Sequence, residues 1–268
     1  MGHIKTRFVK EVENLSGSAD VEKLRQRFLK YLEEEDWTGL YDPRDVQRLK
    51  NDDYYCKRIL RHQSGNVNSA VESVKNIFKW RQEMGINDLT EDDIDPEIVK
   101  IGAVFSYNKD REGSPLLILR VNCHRKDPDT RDERRKIVAY WVEKMERERK
   151  GESVSVLMDC SSSGMANMDV DFTMYLMSLF ITYYPAFIDH IYVFEMPWIM
   201  NACWKIIKKM ISSSTAERIK FLTKTSFTEY LNPEELPPHL GGTCLKKYRP
   251  SNHLTCTGEE EHLNGVTI

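Results

Sequence analysis

At about 100° per residue, Asn201, Lys205, Lys208 and Lys209 fall on one side of a helix, and Met200, Cys203, Trp204, Ile206, Ile207, Met210 and Ile211 on the other. The chemistry this pattern offers is non-covalent. The ammonium groups suit phosphate headgroups, and the apolar face suits a membrane interface. A surface helix with its apolar side in a protein core has the same periodicity, so both readings stand. Trp198 and Trp204 fit an interface and a core equally well.

Covalent chemistry has less to offer. The stretch Met158-Asp159-Cys160-Ser161-Ser162-Ser163-Gly164 lies where a strand ends and a loop begins, a common place for α/β sites. Cys160 lacks the arginine five residues on that a cysteine phosphatase loop requires, and reads as structural. There is no G-x-S-x-G elbow, P-loop, G-x-G-x-x-G or H-E-x-x-H pattern. The seven histidines show no ligand spacing. No catalytic residue, metal site or cofactor is therefore assigned, and the chain is not expected to be an enzyme.

The elements that must position these residues change character near residue 90. Val21 to Glu35 carries apolar residues at helical spacing, Asp42 before Pro43 reads as an N-cap, and Asn68-Ser69 reads as the cap of a helix ended by Gly85. Beyond residue 100, β-type runs occur at Val104 to Tyr107, Leu116 to Val121, Val154 to Met158, Ile191 to Phe194 and Ile219 to Leu222. Helical stretches near 132–149, 169–184 and 199–211 separate several of them. The turn from Asn108 to Ser114 joins the first two, so the expected fold is α/β with mixed strand order. The domain boundaries expected are 1–90, helical; 91–250, the α/β domain; and 251–268, a polar tail.

Composition narrows the partners. With 39 basic and 42 acidic residues the net charge is -3, and no global field draws the chain to nucleic acid. Six scattered cysteines without a C-x-x-C pair, and no apolar signal core in Met1 through Lys10, suit a reducing, cytosolic setting. Met1-Gly2-His3-Ile4-Lys5-Thr6 fits an acylation pattern at Gly2, although a single myristoyl chain binds membranes only marginally. The uncharged run Phe172 to Ile188 contains Pro185 and reads as a buried helix rather than a membrane span. Nine of the eleven methionines lie between Met145 and Met210, where flexible thioethers suit an adaptable cavity or an ordinary core.

Tyr183-Tyr184-Pro185, Met196-Pro197-Trp198 and Leu236-Pro237-Pro238-His239-Leu240-Gly241-Gly242-Thr243 follow one another in that order, and together they resemble the CRAL-TRIO, or Sec14-like, lipid-binding family. Phe78-Lys79-Trp80-Arg81 is similar to the family's Trp-Arg signature, and Asp110-Arg111-Glu112-Gly113-Ser114-Pro115 to its Asp-Gly-Arg-Pro turn. The sequence from Phe194 to Ala202 is similar to the motile-sperm-domain branch, a resemblance that implies association with the endoplasmic reticulum.

The resemblance implies a helical N-terminal unit followed by a Sec14-like mixed sheet. Pro197 to Ile211 would be a gate helix, with Lys205, Lys208 and Lys209 toward headgroups or membrane. The lipid pocket would be lined by Met174, Met177, Phe180, Ile181, Tyr184, Tyr192, Phe194, Met200, Cys203, Trp204 and Ile207. The acidic partner of the phosphatidylinositol-transferring members would fall near Leu176, where no acid stands. The expected function is to bind one amphiphilic lipid and carry or present it between membranes, as a cytoplasmic protein peripheral to a transient membrane surface. The alternative is a non-catalytic recruitment module.

Overall fold

The computed structural model describes residues 17–209, 211 and 213–246. Its elements follow from local chemistry. Helix α1 spans Ser18–Glu34. Asp42 caps α2, Pro43–Asn51, by accepting from the Arg44 amide, with Pro43 at the first helical position. Asp52 caps α3, Asp53–His62, by accepting from the Tyr55 amide. Helix α4 spans Val67–Glu83 and is capped by Asn66, which accepts from the Ser69 amide. The cap thus lies two residues before the expected Asn68. Gly85, at φ 62°, ends α4 as expected, and the Ile86 amide returns to the Arg81 carbonyl at 3.0 Å. Helix α5 is Pro96–Lys100 and α6 is Arg131–Glu148.

Five strands form one sheet in the order β1-β2-β3-β4-β5: Val104–Lys109, Pro115–Arg120, Val154–Asp159, Ile188–Phe194 and Ile219–Leu222. β1 and β2 are an antiparallel hairpin, with Val104 opposite Leu119. β2 and β3 are parallel, from Leu116 opposite Ser155 to Arg120 opposite Asp159. β4 and β5 are parallel, with Ile191 opposite Ile219. The sheet is therefore mixed. Leu116 through Arg120 are all buried, as expected for a central strand covered on both faces.

Parallel neighbours need a crossover of a dozen residues or more, usually helical. Helix α6 lies in the crossover from β2 to β3. The crossover from β4 to β5 carries α8, Asn201–Lys208, and α9, Ser213–Glu217. The amphipathic segment is thus also a topological necessity. It is not one helix from Pro197 to Ile211, because a 3₁₀ turn over Trp198–Met200 precedes α8.

The expected single helix over 169–184 also divides. Helix α7, Val170–Met177, passes into a π-helical stretch at Ser178–Tyr183, and the Tyr184 amide reaches the Leu179 carbonyl five residues back. No helix among the described residues is long and apolar enough to cross a membrane.

Two compact units emerge. Among the described residues, one contains 17–90, 146–153 and 176–188, and the other 91–145, 154–175 and those from 189 to 246. The core of the first is built on Leu24, Phe28, Val74, Ile77 and Phe78, with Phe28 edge-on to Phe78 at 5.4 Å. The acylation pattern at Gly2 and the polar stretch from Ser251 lie outside the described residues.

Candidate functional site

The first unit explains two of the sequence motifs as one clasp. Trp80 stacks on Tyr183 at 4.3 Å with planes 6° apart, and Tyr184 meets the same indole edge-on at 5.9 Å. Arg81, also buried, donates from Nε to Asp45 at 2.7 Å. Arg58 is 0 % exposed and donates from Nε to the Pro185 carbonyl and from Nη1 to Glu146 Oε1 at 2.6 Å. Arg48 holds the other carboxylate oxygen at 2.9 Å. Burial alone would raise the Glu146 carboxyl, but Arg48 and Arg58 outweigh it and hold the group well below the usual carboxylate range. Gly151, at φ +78°, leaves room for Arg58, since a Cβ there would lie 2.8 Å from Nη1.

In the second unit Asp110 organises the turn between β1 and β2. Its Oδ1 accepts from the Glu112 and Ser114 amides, and its Oδ2 accepts from Ser155 Oγ at 2.7 Å and Tyr192 OH at 3.1 Å. Beside it, burial raises the carboxyl of Asp189. At the other end of the sheet, burial next to Asp159 pushes the Cys160 thiol up to about 12. A thiol held protonated in this way is a poor nucleophile, in keeping with a structural Cys160. His239, in the Leu-Pro-Pro-His-Leu-Gly-Gly segment, has Nε2 3.8 Å from Asp159 Oδ2, and burial lowers its basicity.

The two glycines of that segment have separate reasons. Gly241 takes φ +85°, and a Cβ on Gly242 would stand 2.0 Å from the Leu236 carbonyl oxygen. The segment is held by Thr243 and Cys244 amides donating to the Pro233 and Leu236 carbonyls.

The candidate lining residues distribute over both units. Met177, Phe180, Ile181 and Tyr184 belong to the first, and Met174, Tyr192, Phe194, Met200, Cys203, Trp204 and Ile207 to the second. Met177, Phe180 and Tyr184 are buried and Ile181 is half-buried. Within the second unit Tyr192, Phe194 and Met200 are buried, and Met174, Trp204 and Ile207 are half-buried. Phe194 meets Phe227 edge-on at 6.4 Å, and Trp204 meets Phe221 edge-on at 5.0 Å. Cys203 lies on α8, with its side chain outside the described residues. Leu176, near which the resemblance would put an acid, is buried.

The lysines stand apart from this interior. Lys205, Lys208 and Lys209 are all exposed, and Trp198, at the start of the same segment, is 80 % exposed. One segment of the chain thus exposes a tryptophan and three lysines. Periodicity placed the lysines, but nothing in it distinguished Trp198 from a core residue. Sequence spacing also missed a polar cluster of Glu112, Asp189 and His190, whose donor atoms lie within 4.8 Å of one another.

The CRAL/TRIO domain model matches residues 100–242, just over half of the chain. A CRAL-TRIO domain-containing protein of Schizosaccharomyces pombe is 25% identical over 234 residues, covering 83% of this chain and 52% of that protein. The phosphatidylinositol transfer protein CSR1 of Eremothecium gossypii is 26% identical over 204 residues, covering 69% and 46%. The Sec14 cytosolic factor of S. pombe is 24% identical over 215 residues, covering 72% and 75%. The chain spans about half the length of the first two. The crystal structure of Sfh5 superposes with a TM-score of 0.59 at 16% identity, covering 88% of each chain, which is a likeness of fold. The narrower likeness of 194–202 to the motile-sperm-domain branch gains no support from these relatives. The matched domain, the mixed sheet and the Sec14-like fold lead to one conclusion: the chain belongs to the CRAL/TRIO domain family.

Proposed function

We propose that the chain binds one amphiphilic lipid in an apolar cavity and transfers or presents it at a membrane, as a cytosolic protein peripheral to that surface. The observation that carries this reading is the CRAL/TRIO match over residues 100–242, because relatives sharing that domain include a phosphatidylinositol transfer protein. Energetics favour a carrier with an enclosed site. Exposing a chain of about sixteen carbons to water costs roughly 13 kcal/mol at about 0.8 kcal/mol per methylene, so a shuttle must offset most of it with apolar contact. The methionine-rich stretch from Met145 to Met210 supplies adaptable apolar side chains for that purpose. No covalent step is required.

The segment from Trp198 to Lys209 would meet the membrane, with the tryptophan entering the interface and the lysines facing anionic headgroups. Buried Leu176 in place of an acid argues for a headgroup arrangement different from that of the phosphatidylinositol carriers. Native mass spectrometry of the protein purified from cells is the test. A co-purifying lipid of defined mass is expected. Empty protein that still binds liposomes would instead support the recruitment module, for which the exposed Trp198 and lysines suffice without a cavity.

A further inference from the structure

We infer that Glu112, Asp189 and His190 form a binding site for a zinc-class divalent cation, which fastens the turn between β1 and β2 to the start of β4. Glu112 lies on that turn and is exposed, while Asp189 is 5 % exposed at the second residue of β4. His190 follows, with its side chain 17% exposed and Nδ1 3.8 Å from Asp189 Oδ1. One donor atom from each of the three lies within 4.8 Å of the other two.

The His190 ring nitrogen makes this more than a meeting of acids. Nδ1 is inaccessible to solvent and has no hydrogen-bond partner. At 3.8 Å from the nearest carboxylate oxygen it is too far for a hydrogen bond. A buried polar atom left unpaired calls for a missing partner, and an ion is one of the few candidates. A bare divalent ion is smaller than water and can lie where a water molecule does not reach.

The surroundings hold the ligands in place, as metal sites require. The His190 ring stacks on Tyr192 at 5.6 Å with planes 13° apart, and Tyr192 is itself anchored through its hydroxyl to Asp110. Ser114 Oγ donates to Asp189 Oδ2 at 3.3 Å, leaving Oδ1 toward His190. The Ser114 amide donates to the same Asp110. Asp110 thus orients both the ring support and the carboxylate support.

Ligand chemistry selects the cation. Imidazole with two carboxylates suits Zn²⁺, whereas Ca²⁺ and Mg²⁺ prefer all-oxygen shells. Bonds of about 2.1 Å around a tetrahedral ion place donors about 3.4 Å apart. Donors up to 4.8 Å apart must therefore close by up to about 1.4 Å, the exposed Glu112 side chain rotating inward and the 3.8 Å His190–Asp189 separation shortening by about 0.4 Å.

The test is equilibrium dialysis of the full chain, stripped with chelator and titrated with Zn²⁺, the metal being counted by plasma mass spectrometry. One Zn²⁺ per chain is expected, with an excess of Ca²⁺ failing to compete. Glu112→Gln and His190→Gln should each weaken binding at least tenfold. Because Glu112 is exposed, its variant folds, and circular dichroism checks this. Cobalt substitution separates the site from the six cysteines: Co²⁺ should give d–d bands with no thiolate charge-transfer band. Unaltered Zn²⁺ binding by Glu112→Gln, or a thiolate band in the cobalt protein, would overturn the assignment.

Discussion

Replacing Lys205, Lys208 and Lys209 together with alanine, and separately Trp198 with alanine, divides the proposed membrane contact into its charged and apolar parts. All four side chains are exposed, so neither variant should change folding stability by more than about 0.5 kcal/mol. A basic residue close to an anionic bilayer is worth about 1 kcal/mol, so the triple variant should lose about 3 kcal/mol, or roughly a hundredfold in partition onto vesicles rich in phosphatidylserine. Trp198 presents four-fifths of its surface. Taking about 200 Å² for the side chain, about 160 Å² is available, and immersing half of it at about 25 cal/mol per Å² contributes about 2 kcal/mol. The two losses differ in their response to salt. Screening shortens from about 8 Å at 0.15 M to about 3 Å at 1 M, which removes the lysine contribution and leaves the tryptophan one. Vesicle co-sedimentation at both salt concentrations measures this. Equal binding of the triple variant and the parent at low salt would refute the membrane-facing assignment of α8. A Trp198→Ala defect that vanished at high salt would refute the apolar part of the reasoning.

Two further outcomes follow from buried contacts. Glu146 is 1% exposed between Arg48 and Arg58, so Glu146→Ala, which strands Arg58 without a counter-charge, should cost about 3–5 kcal/mol by urea unfolding, whereas replacing Arg58 and Glu146 together with apolar residues should cost less than the single change. Because its folded carboxyl titrates below the unfolded value of about 4.3, Glu146 contributes stability that is present above that pH and is lost as pH falls toward the folded value; the Glu146→Gln protein should lack this part of the acid dependence. Gly242→Ala would drive a methyl group into the Leu236 carbonyl and should lower stability by at least about 2 kcal/mol, read as a shift of the unfolding midpoint.

Much of the architecture is written locally. The β5 run from Ile219 to Leu222 is found with the bounds expected, and the Asp42-Pro43 cap and the Gly85 terminator act as their residue types demand. The misplaced cap at the start of α4 has a simple cause: Asn66 and Asn68 are both competent cap residues by type, and residue type alone does not choose between them. The π-helical stretch at Ser178–Tyr183 has no periodic signature, since its bonding changes by one residue while its apolar content does not. Long-range pairing is the larger omission. Nothing near Trp80 announces Tyr183, and nothing near Asp110 announces Ser155 and Tyr192 as its donors. Likewise His190 stands alone in sequence and meets Glu112 only through strand order.

Those long-range contacts change what the family motifs mean. Trp80 with Tyr183 and Tyr184 is a packed aromatic clasp, Asp110 ties a turn to two strands, and Gly242 exists because a carbonyl leaves no room for a side chain. Each is explained by the frame, so each identifies the fold while carrying no information about the ligand. On the proposed lipid-binding function, preference for a ligand would reside in side chains the frame does not need. Trp198 is one such side chain, because an indole 80 % exposed contributes little to the interior and is free for the proposed membrane contact.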